Sequence, residues 1–186
     1  MVDDWSGTGW QRLSEEVVFT SGWFTVRRDV ARRPDGSEGP YDHVLAPPAV
    51  TVLAVDADRG VAVTRQWIYT HEQPQWRLPA GRIDPGDGSP EVAARRELAE
   101  ETGLRAREWT PLGTVNGADS LTNHRDHAFL ATGLTAGATA LEAGEADLEL
   151  HWFPVGQLVA MVLDGQLPHA GSSFAVLVAI AKNLLR

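Results

Sequence analysis

Three glutamates lie close together in the sequence, at the spacing that places side chains on one face of a helix. Glu97, Glu100 and Glu101 fall at roughly 0°, 300° and 40° around a helical axis, within one arc of about 100°. Glu97 and Glu101 form a like-charged i,i+4 pair, and position 104 is leucine rather than a compensating base. A divalent cation such as Mg²⁺ or Mn²⁺ would relieve the repulsion, because these ions prefer hard oxygen ligands. The alternative is a solvated acidic face without chemistry.

The segment that carries these glutamates has the start and stop signals of a helix. Ser89 is a favourable N-cap residue, Pro90 suits the first helical position, and Glu91 places an acid in the first turn. Gly103 can take the left-handed conformation that commonly ends a helix. The sequence therefore predicts a helix that begins at Ser89 and ends at Thr102.

Apolar and β-branched runs around this helix predict a mixed sheet. Residues 15–33 and 41–45 flank the turn-forming Pro34-Asp35-Gly36 and predict an N-terminal hairpin. Residues 49–55 and 61–67 predict two neighbouring antiparallel strands, so the fold class is α/β. The remaining predicted elements are strands at 112–116, 127–132 and 148–153 and helices at 155–163 and 173–185.

The composition excludes several classes of protein. Sixteen Lys and Arg residues stand against 25 Asp and Glu, a net charge of −9, which disfavours nonspecific binding to nucleic-acid polymers or anionic membranes. The chain of 186 residues has no cysteine, which excludes disulfides, thiolate metal sites and a cysteine nucleophile. No apolar stretch approaches about 18 residues and no signal-peptide pattern is present, so we expect a cytoplasmic protein.

A longer pattern around the predicted helix resembles the Nudix box, G-x5-E-x7-R-E-U-x-E-E-x-G-U. The sequence has Gly81, then Asp87, and then all nine final positions from Arg96 onward. It departs at two points, because Asp87 replaces the first glutamate and eight residues rather than seven separate it from Arg96. The resemblance implies the Nudix fold, a mixed sheet sandwiched between helices (α/β/α), with the N-terminal β-hairpin extension at 1–46 and the Nudix hydrolase domain at 47–186.

The resemblance also implies a set of metal ligands. Glu97 and Glu101 would be the main ligands, and Glu100 a further ligand or the holder of a metal-bound water. The Ala80 carbonyl would complete the site. The expected ion is Mg²⁺ or Mn²⁺, which bridges phosphate oxygens and lowers the pKa of a bound water.

Two further groups are expected to take part in catalysis. The box arginine, Arg96, would be held by an acid, for which Asp87 and Glu91 are the candidates. By resemblance, the general base would be a glutamate from a loop just before the last strand of the sheet. Glu145 is the first choice for that base and Glu142 the second, while a solvated acidic loop is the alternative.

The family resemblance extends to a branch that implies a substrate class. The segments Arg65-Gln66-Trp67 and Leu78-Pro79-Ala80-Gly81 are similar to those of ADP-ribose and nucleotide-sugar pyrophosphatases, although residues 116–124 replace the proline-containing loop typical of strict ADP-ribose enzymes. We therefore expect hydrolysis of ADP-ribose or a nucleotide sugar to NMP and a sugar phosphate. Enzymes of this branch are often homodimers, so we also expect a homodimer. Two alternatives stay open: an enzyme acting on oxidised nucleoside triphosphates or on dinucleotides, and a non-catalytic sensor of ADP-ribose or NAD.

Substrate-binding residues are expected near the box, in a later loop and in the N-terminal extension. Arginines would fork onto phosphate oxygens, and aromatic rings would stack on a base. The alternative for each is a surface charge pair or a packing residue. The candidates are Arg65, Arg77, Arg82 and Arg125 for phosphate and Trp23 and Trp67 for the base.

Overall fold

A computed structural model of the chain describes residues 9–185. Contacts between residues divide the chain into two compact units. One unit contains Met1–Pro47 with Ala118–His124, and the other contains Pro48–Gly117 with Arg125–Arg186. The division into an N-terminal extension at 1–46 and a domain at 47–186 stays a prediction.

The first unit contains a three-stranded antiparallel sheet. Its strands, in spatial order, are β1 (Gln11–Thr20), β2 (Thr25–Arg32) and β3 (Glu38–Leu45). The predicted hairpin is confirmed as β2 and β3, which pair around the turn at Pro34-Asp35-Gly36. The loop at 118–124 lies against β3, where the Val44 N–H donates to a carbonyl of that loop at 2.8 Å.

A tight turn divides the segment that the sequence predicted as one strand. The Ser21 hydroxyl accepts hydrogen bonds from the backbone N–H groups of Trp23 and Phe24, at 3.1 and 3.2 Å. Serine side chains favour such turns because they satisfy nearby backbone donors locally. The turn reverses the chain between β1 and β2, so the extension contains one strand more than predicted.

The second unit is built on a seven-stranded sheet. Its strands are β4 (Ala49–Asp56), β5 (Gly60–Ile68), β6 (Gln73–Arg77), β7 (Ala80–Arg82), β8 (Leu104–Val115), β9 (Asp126–Ala136) and β10 (Glu149–Phe153). The main path runs β10-β5-β4-β9-β8, with β6 paired to β5 and β7 paired to β4. The β4–β9 pair is parallel and the other pairs are antiparallel, which confirms a mixed sheet.

Helices cover both faces of this sheet. The helices of the described chain are α1 (Pro90–Thr102), α2 (Val155–Leu163) and α3 (Ala170–Ala181). Alternate residues of β4 separate two apolar cores, with Val52 facing α1 and Leu53 facing α2 and α3. The α/β/α sandwich is therefore as predicted. None of the helices within residues 9–185 is long and apolar enough to span a membrane.

The helix termini follow the local sequence. The Ser89 hydroxyl accepts the Val92 N–H at 3.3 Å at the start of α1, and Gly103 ends this helix with φ of 69°. Helix α3 begins three residues before its predicted start, at Ala170. Lys182, the only lysine of the chain, follows α3 and donates its ammonium group to the Leu112 carbonyl of β8 at 3.0 Å.

Candidate active site

The buried face of α1 presents carboxylates to the sheet. Glu97 and Glu101 are only 7% and 4% exposed, whereas Glu100 is half-buried. Small and apolar residues of the same helix, Ala94 and Leu98, are fully buried against β4 and its neighbours and hold α1 close to the sheet. The packing of α1 therefore removes two acidic side chains from water, which is unusual for ionisable residues without a ligand.

The strand β7 meets these carboxylates at its first two residues. The Ala80 N–H donates to Glu101 Oε2 at 3.1 Å. The next residue is Gly81, where a Cβ atom would overlap the Glu97 carboxylate. Only glycine permits this approach, so the close contact with Glu97 explains why the first residue of the predicted box is glycine.

Burial raises the pKa of both carboxyl groups. The pKa of Glu97 is raised to about 7, chiefly by desolvation and further by Glu100 and Glu145, against an opposing effect of Arg96. The pKa of Glu101 is raised to about 8, again chiefly by desolvation, with Arg77 opposing. Negative charge on this face is thus poorly compensated by the protein alone.

Arg96 is the centre of an ion-pair network at the open end of this face. Its guanidinium donates two hydrogen bonds to Asp87, at 2.9 and 3.0 Å, and one to the Arg82 carbonyl at 2.8 Å. It also contacts Glu97 at 2.7 Å and Glu100 at 3.0 Å. Hydrogen bonding to Asp87 raises the pKa of Arg96 and lowers the pKa of Asp87.

The structure selects between the two acids expected to hold Arg96. Asp87 is buried and binds its guanidinium in bidentate fashion, whereas Glu91 pairs with Arg95 one turn along the exposed side of α1, at 2.7 Å. The aspartate side chain is shorter than the glutamate typical of the box. The extra residue of the box lies after Asp87, in the loop of residues 87–90 that leads into α1, and Asp87 also caps the turn before it by accepting the Asp84 N–H at 2.7 Å.

The donor chemistry of this face fits a divalent cation. No group of three acidic or histidine side chains within residues 9–185 is gathered as a ready metal site, because Arg96 holds Glu97 and Glu100 while the Ala80 N–H holds Glu101. The buried carboxylates with raised pKa values are nevertheless hard oxygen donors whose repulsion a cation would remove. Their roles as ligands, with the Ala80 carbonyl, stay predictions.

The loop before β10 brings a further carboxylate toward this face. Glu145 lies in a 3₁₀ turn, and its charge contributes to the raised pKa of both Glu97 and Glu101. Its Oε2 atom accepts the Glu142 N–H at 3.0 Å, which closes the turn on itself. Glu145, the first choice for the base, is thus an acid of this loop whose charge acts on the buried carboxylates, and its role as the base stays a prediction.

Two residues of the loop–strand junction were not predicted as functional. The Gln66 amide donates to the Gly144 carbonyl at 3.1 Å, and Asp147 accepts the Trp67 N–H at 2.8 Å. Both bonds tie the Glu145 loop to the end of β5. The sequence alone could not show this pairing, because the partners are about 80 residues apart.

The predicted phosphate-binding arginines occupy different surroundings. Arg77 is near enough to Glu101 to lower its pKa, and its Nε atom is buried without a hydrogen-bond partner. Arg65 instead stacks over Trp76, 5.4 Å from the ring centroid, on the sheet face that packs with α2 and α3. Arg82 pairs with the exposed Asp84 at 2.8 Å.

The other substrate-binding candidates are exposed. Arg125 directly precedes β9, and its carbonyl accepts the Ala49 N–H at 2.8 Å. Trp67 is 50% exposed at the end of β5, and Trp23 is 69% exposed in the β1–β2 turn of the first unit. The roles of these residues in substrate binding stay predictions.

The acidic helix packed against a short strand of an α/β/α sandwich agrees with the Nudix resemblance of the sequence. The chain belongs to the Nudix pyrophosphatase family: residues 45–174 match the NUDIX domain, and residues 10–44 match the nucleoside diphosphate sugar hydrolase N-terminal domain. Nudix hydrolases generally use divalent metal ions, and the family acts on small nucleoside diphosphate derivatives.

Similar proteins include two characterised by their activity. An ADP-ribose pyrophosphatase of Mycobacterium tuberculosis is 32% identical over 158 residues, which cover 84% of this chain and 76% of that protein. A CMP-5'-(N-acetyl-N-hydroxy-3-aminopropyl)phosphonate hydrolase of Streptomyces rubellomurinus is 26% identical over 92% of this chain and 82% of its own length. A crystal structure of an ADP compounds hydrolase has a TM-score of 0.82 at 23% identity, covers 93% of both chains and confirms the fold.

Proposed function

We propose that the chain hydrolyses the pyrophosphate bond of ADP-ribose or a nucleotide sugar in the presence of Mg²⁺ or Mn²⁺, giving NMP and a sugar phosphate. The observation that carries this proposal is the pair of buried carboxylates, Glu97 and Glu101, packed against the Ala80-Gly81 strand beside Arg96. The similarity to an ADP-ribose pyrophosphatase and the match of the N-terminal residues to a nucleoside diphosphate sugar hydrolase domain support the substrate class.

In this proposal, some residues hold the cations and others position the carboxylates that bind them. The cations, when bound, supply the positive charge that receives the diphosphate and lower the pKa of the attacking water. Glu97, Glu101 and the Ala80 carbonyl would hold them, with Glu100 as a further ligand. Arg96, fixed by Asp87, keeps the carboxylates of α1 in register and limits their repulsion.

Glu145 would accept the proton of the attacking water. Its loop is anchored at the end of β5, and its charge acts on Glu97 and Glu101, which supports a position near the proposed ligands. A glutamate in such a position accepts a proton as the water oxygen attacks phosphorus, and the leaving phosphate departs with its bridging oxygen.

Substrate binding would combine arginines and exposed aromatic rings. Among the proposed phosphate-binding arginines, Arg77 is the one whose charge lowers the pKa of Glu101, and its buried Nε atom without a partner supports a role in holding phosphate. The further proposed contacts with phosphate and base are those of Arg65, Arg82, Arg125, Trp67 and Trp23. We further propose that the protein is a cytoplasmic homodimer, which the exposed apolar surface of β1 supports.

A second candidate substrate is a CMP-linked phosphonate. The relative from Streptomyces rubellomurinus that carries such an activity in its name is similar over nearly the whole of this chain. Cleavage of that substrate would use the same carboxylates and the same general base, so the two candidates differ only in the groups that contact the base and the second moiety.

The test is a substrate panel in the presence of Mg²⁺ or Mn²⁺. The panel contains ADP-ribose, ADP-glucose, GDP-mannose, UDP-glucose, NADH, 8-oxo-dGTP and a CMP-linked phosphonate, and the products are separated by chromatography. We expect NMP and a sugar phosphate from ADP-ribose or a nucleotide sugar. Tight binding of one compound without hydrolysis of any would overturn the proposal in favour of a sensor.

A further inference from the structure

The segment between β6 and β7 is held from two sides by buried side chains. On one side, the Glu101 carboxylate of α1 accepts the Ala80 N–H at 3.1 Å. On the other side, the Ser172 hydroxyl of α3 accepts the Leu78 N–H at 2.9 Å, and Ser172 is fully buried. The backbone that carries the Ala80 carbonyl is therefore positioned by α3 as well as by α1.

The hydroxyl of Ser172 is oriented in turn by His169. The Ser172 Oγ atom lies 2.9 Å from His169 Nδ1. Because the hydroxyl already accepts the Leu78 N–H, its own proton is available to the histidine nitrogen. That assignment places the ring proton on Nε2, which faces Asp126 Oδ2 at 3.8 Å. The buried Asp126 also accepts the Thr51 hydroxyl at 2.8 Å.

The first turn of α3 sits directly on this acid. A Cβ atom at Gly171 would overlap Asp126 Oδ2 and crowd the Thr51 hydroxyl, so glycine permits the close approach of the helix. Thr51 pairs with Ala80 in the β4–β7 register. Side chains from α3, β4 and β9 thus form one network, and its β4 member, Thr51, is the strand partner of the residue whose carbonyl is expected to bind metal.

We propose that Ser172 and His169 are positioning residues for metal binding. They fix the backbone at Leu78–Gly81 so that the Ala80 carbonyl and the Glu101 carboxylate reach the same cation. The inference rests on the proposed function, in which these two groups are ligands. Ser172 has no exposed surface, so it contacts no substrate and acts only through the strand.

Two neighbouring serines provide the test and its control. Ser172→Ala removes the acceptor of the Leu78 N–H, whereas Ser173→Ala removes a hydroxyl of the same helical turn that donates to the Leu167 carbonyl at 2.6 Å. We expect Ser172→Ala to raise the Kd for Mn²⁺ about tenfold or more, as losses of outer contacts of a metal site do, and Ser173→Ala to change it less than about twofold. Calorimetric titration of the metal-free protein with Mn²⁺ measures both values.

Three readouts separate positioning from general stabilisation. Amide hydrogen exchange of the metal-free Ser172→Ala protein should accelerate at Leu78 and Ala80 beyond the exchange in Ser173→Ala. Its kcat should recover at high Mn²⁺ concentration, while the KM for the nucleotide substrate stays unchanged. Equal Mn²⁺ affinities and equal exchange rates at these two amides in the two variants would overturn the proposal.

A second pair of variants covers a failure of Ser172→Ala to fold. His169→Asn keeps a hydrogen-bonding atom near the position of Nδ1 and is favourable as a helix N-cap, whereas His169→Ala removes it. We expect Mn²⁺ affinity near that of the wild type for the asparagine variant and a several-fold loss for the alanine variant. Equal affinities in both variants and the wild type would contradict the role of His169.

The wild-type protein separates this proposal from the proposed function. Binding of Mn²⁺ without hydrolysis of any panel compound would overturn only the function, because the affinities of the variants still measure positioning. Hydrolysis with Mn²⁺ affinities that are insensitive to all four substitutions would overturn only the positioning roles. A wild-type protein that binds no Mn²⁺ would overturn both.

Discussion

The residue that organises the candidate site is an arginine rather than a glutamate. Arg96 donates hydrogen bonds to three acidic side chains, Asp87, Glu97 and Glu100. Its hydrogen bond of 2.7 Å to Glu97 engages the Oε1 atom, so the second oxygen of this carboxylate could bind a cation while the contact with Arg96 is kept. Asp87, which makes a bidentate contact with Arg96, holds the guanidinium in this position.

The buried glutamates should control metal affinity and turnover. We expect Glu101→Gln, or Glu97→Gln, to lower kcat about 100-fold or more, because a bound cation contributes several kcal/mol to stabilising the transition state. The matched control is Glu91→Gln, which changes an exposed acid of the same helix. Rate measurements at several Mn²⁺ concentrations would contradict the ligand roles if all three variants lost activity equally.

Glu145 should be required for the chemical step without contributing to metal affinity. Its replacement by glutamine keeps the shape of the side chain, and loss of a general base lowers kcat by about 100-fold or more. The control is Glu142→Gln in the same turn, which we expect to stay within about threefold of the wild type. A change of less than about threefold for Glu145→Gln, measured as single-turnover rate, would show that the base lies elsewhere.

At the scale of elements, the end of strand β5 is joined by hydrogen bonds to the loop before β10. The Gln66 amide donates to the Gly144 carbonyl, and the Asp147 carboxylate accepts the Trp67 N–H. These bonds fix the loop, including its 3₁₀ turn, against the end of β5.

Loosening this junction should lower kcat and leave Mn²⁺ affinity intact. Gln66→Ala or Asp147→Asn weakens the anchor, so Glu145 spends less time in its reactive position. Gln75 pairs with Gln66 across β5 and β6, and Gln75→Ala is the control. Steady-state rates at saturating Mn²⁺ test the expectation, and an unchanged kcat in both anchor variants would contradict it.

The elements were predictable where local signals decide them. The cap at Ser89 and the glycine at 103 bound α1 as predicted, because hydrogen bonds and φ angles at helix termini depend on neighbouring residues. The turn at Ser21 was missed because apolar residues continue on both sides of it. The placement of Arg65 on the face opposite α1 was also not predictable, since it depends on the register of β5 against β6 and β10.

At the scale of the whole molecule, an average charge of −9 is compatible with a phosphate substrate because the acids are unevenly placed. Two of them are buried on α1, where a cation would reverse the local field. The family could be recognised from the sequence, because the box is a long spaced pattern. The network of His169 and Ser172 could not, because its partners lie far apart in the chain.

The first unit should mediate dimerisation if the proposed homodimer forms. Its strand β1 exposes Val17 to 61% and Phe19 to 51%, and charge on such a surface opposes association. We expect Val17→Asp to convert a dimer into a monomer in analytical ultracentrifugation, whereas Leu163→Asp, a change at a 74% exposed residue of α2, should not. A wild-type monomer at micromolar concentration would contradict the dimer.

The single lysine, which follows α3, allows the detachment of that helix from β8 to be measured by proteolysis. A lysine-specific protease can cut this chain only after Lys182, whose ammonium group is held by the Leu112 carbonyl. Cleavage there requires the helix end to leave β8, because a protease binds an extended, unfolded segment. The rate at which this cleavage product appears in mass spectra would therefore report how often the C-terminal end of α3, the helix that carries His169 and Ser172, detaches from β8.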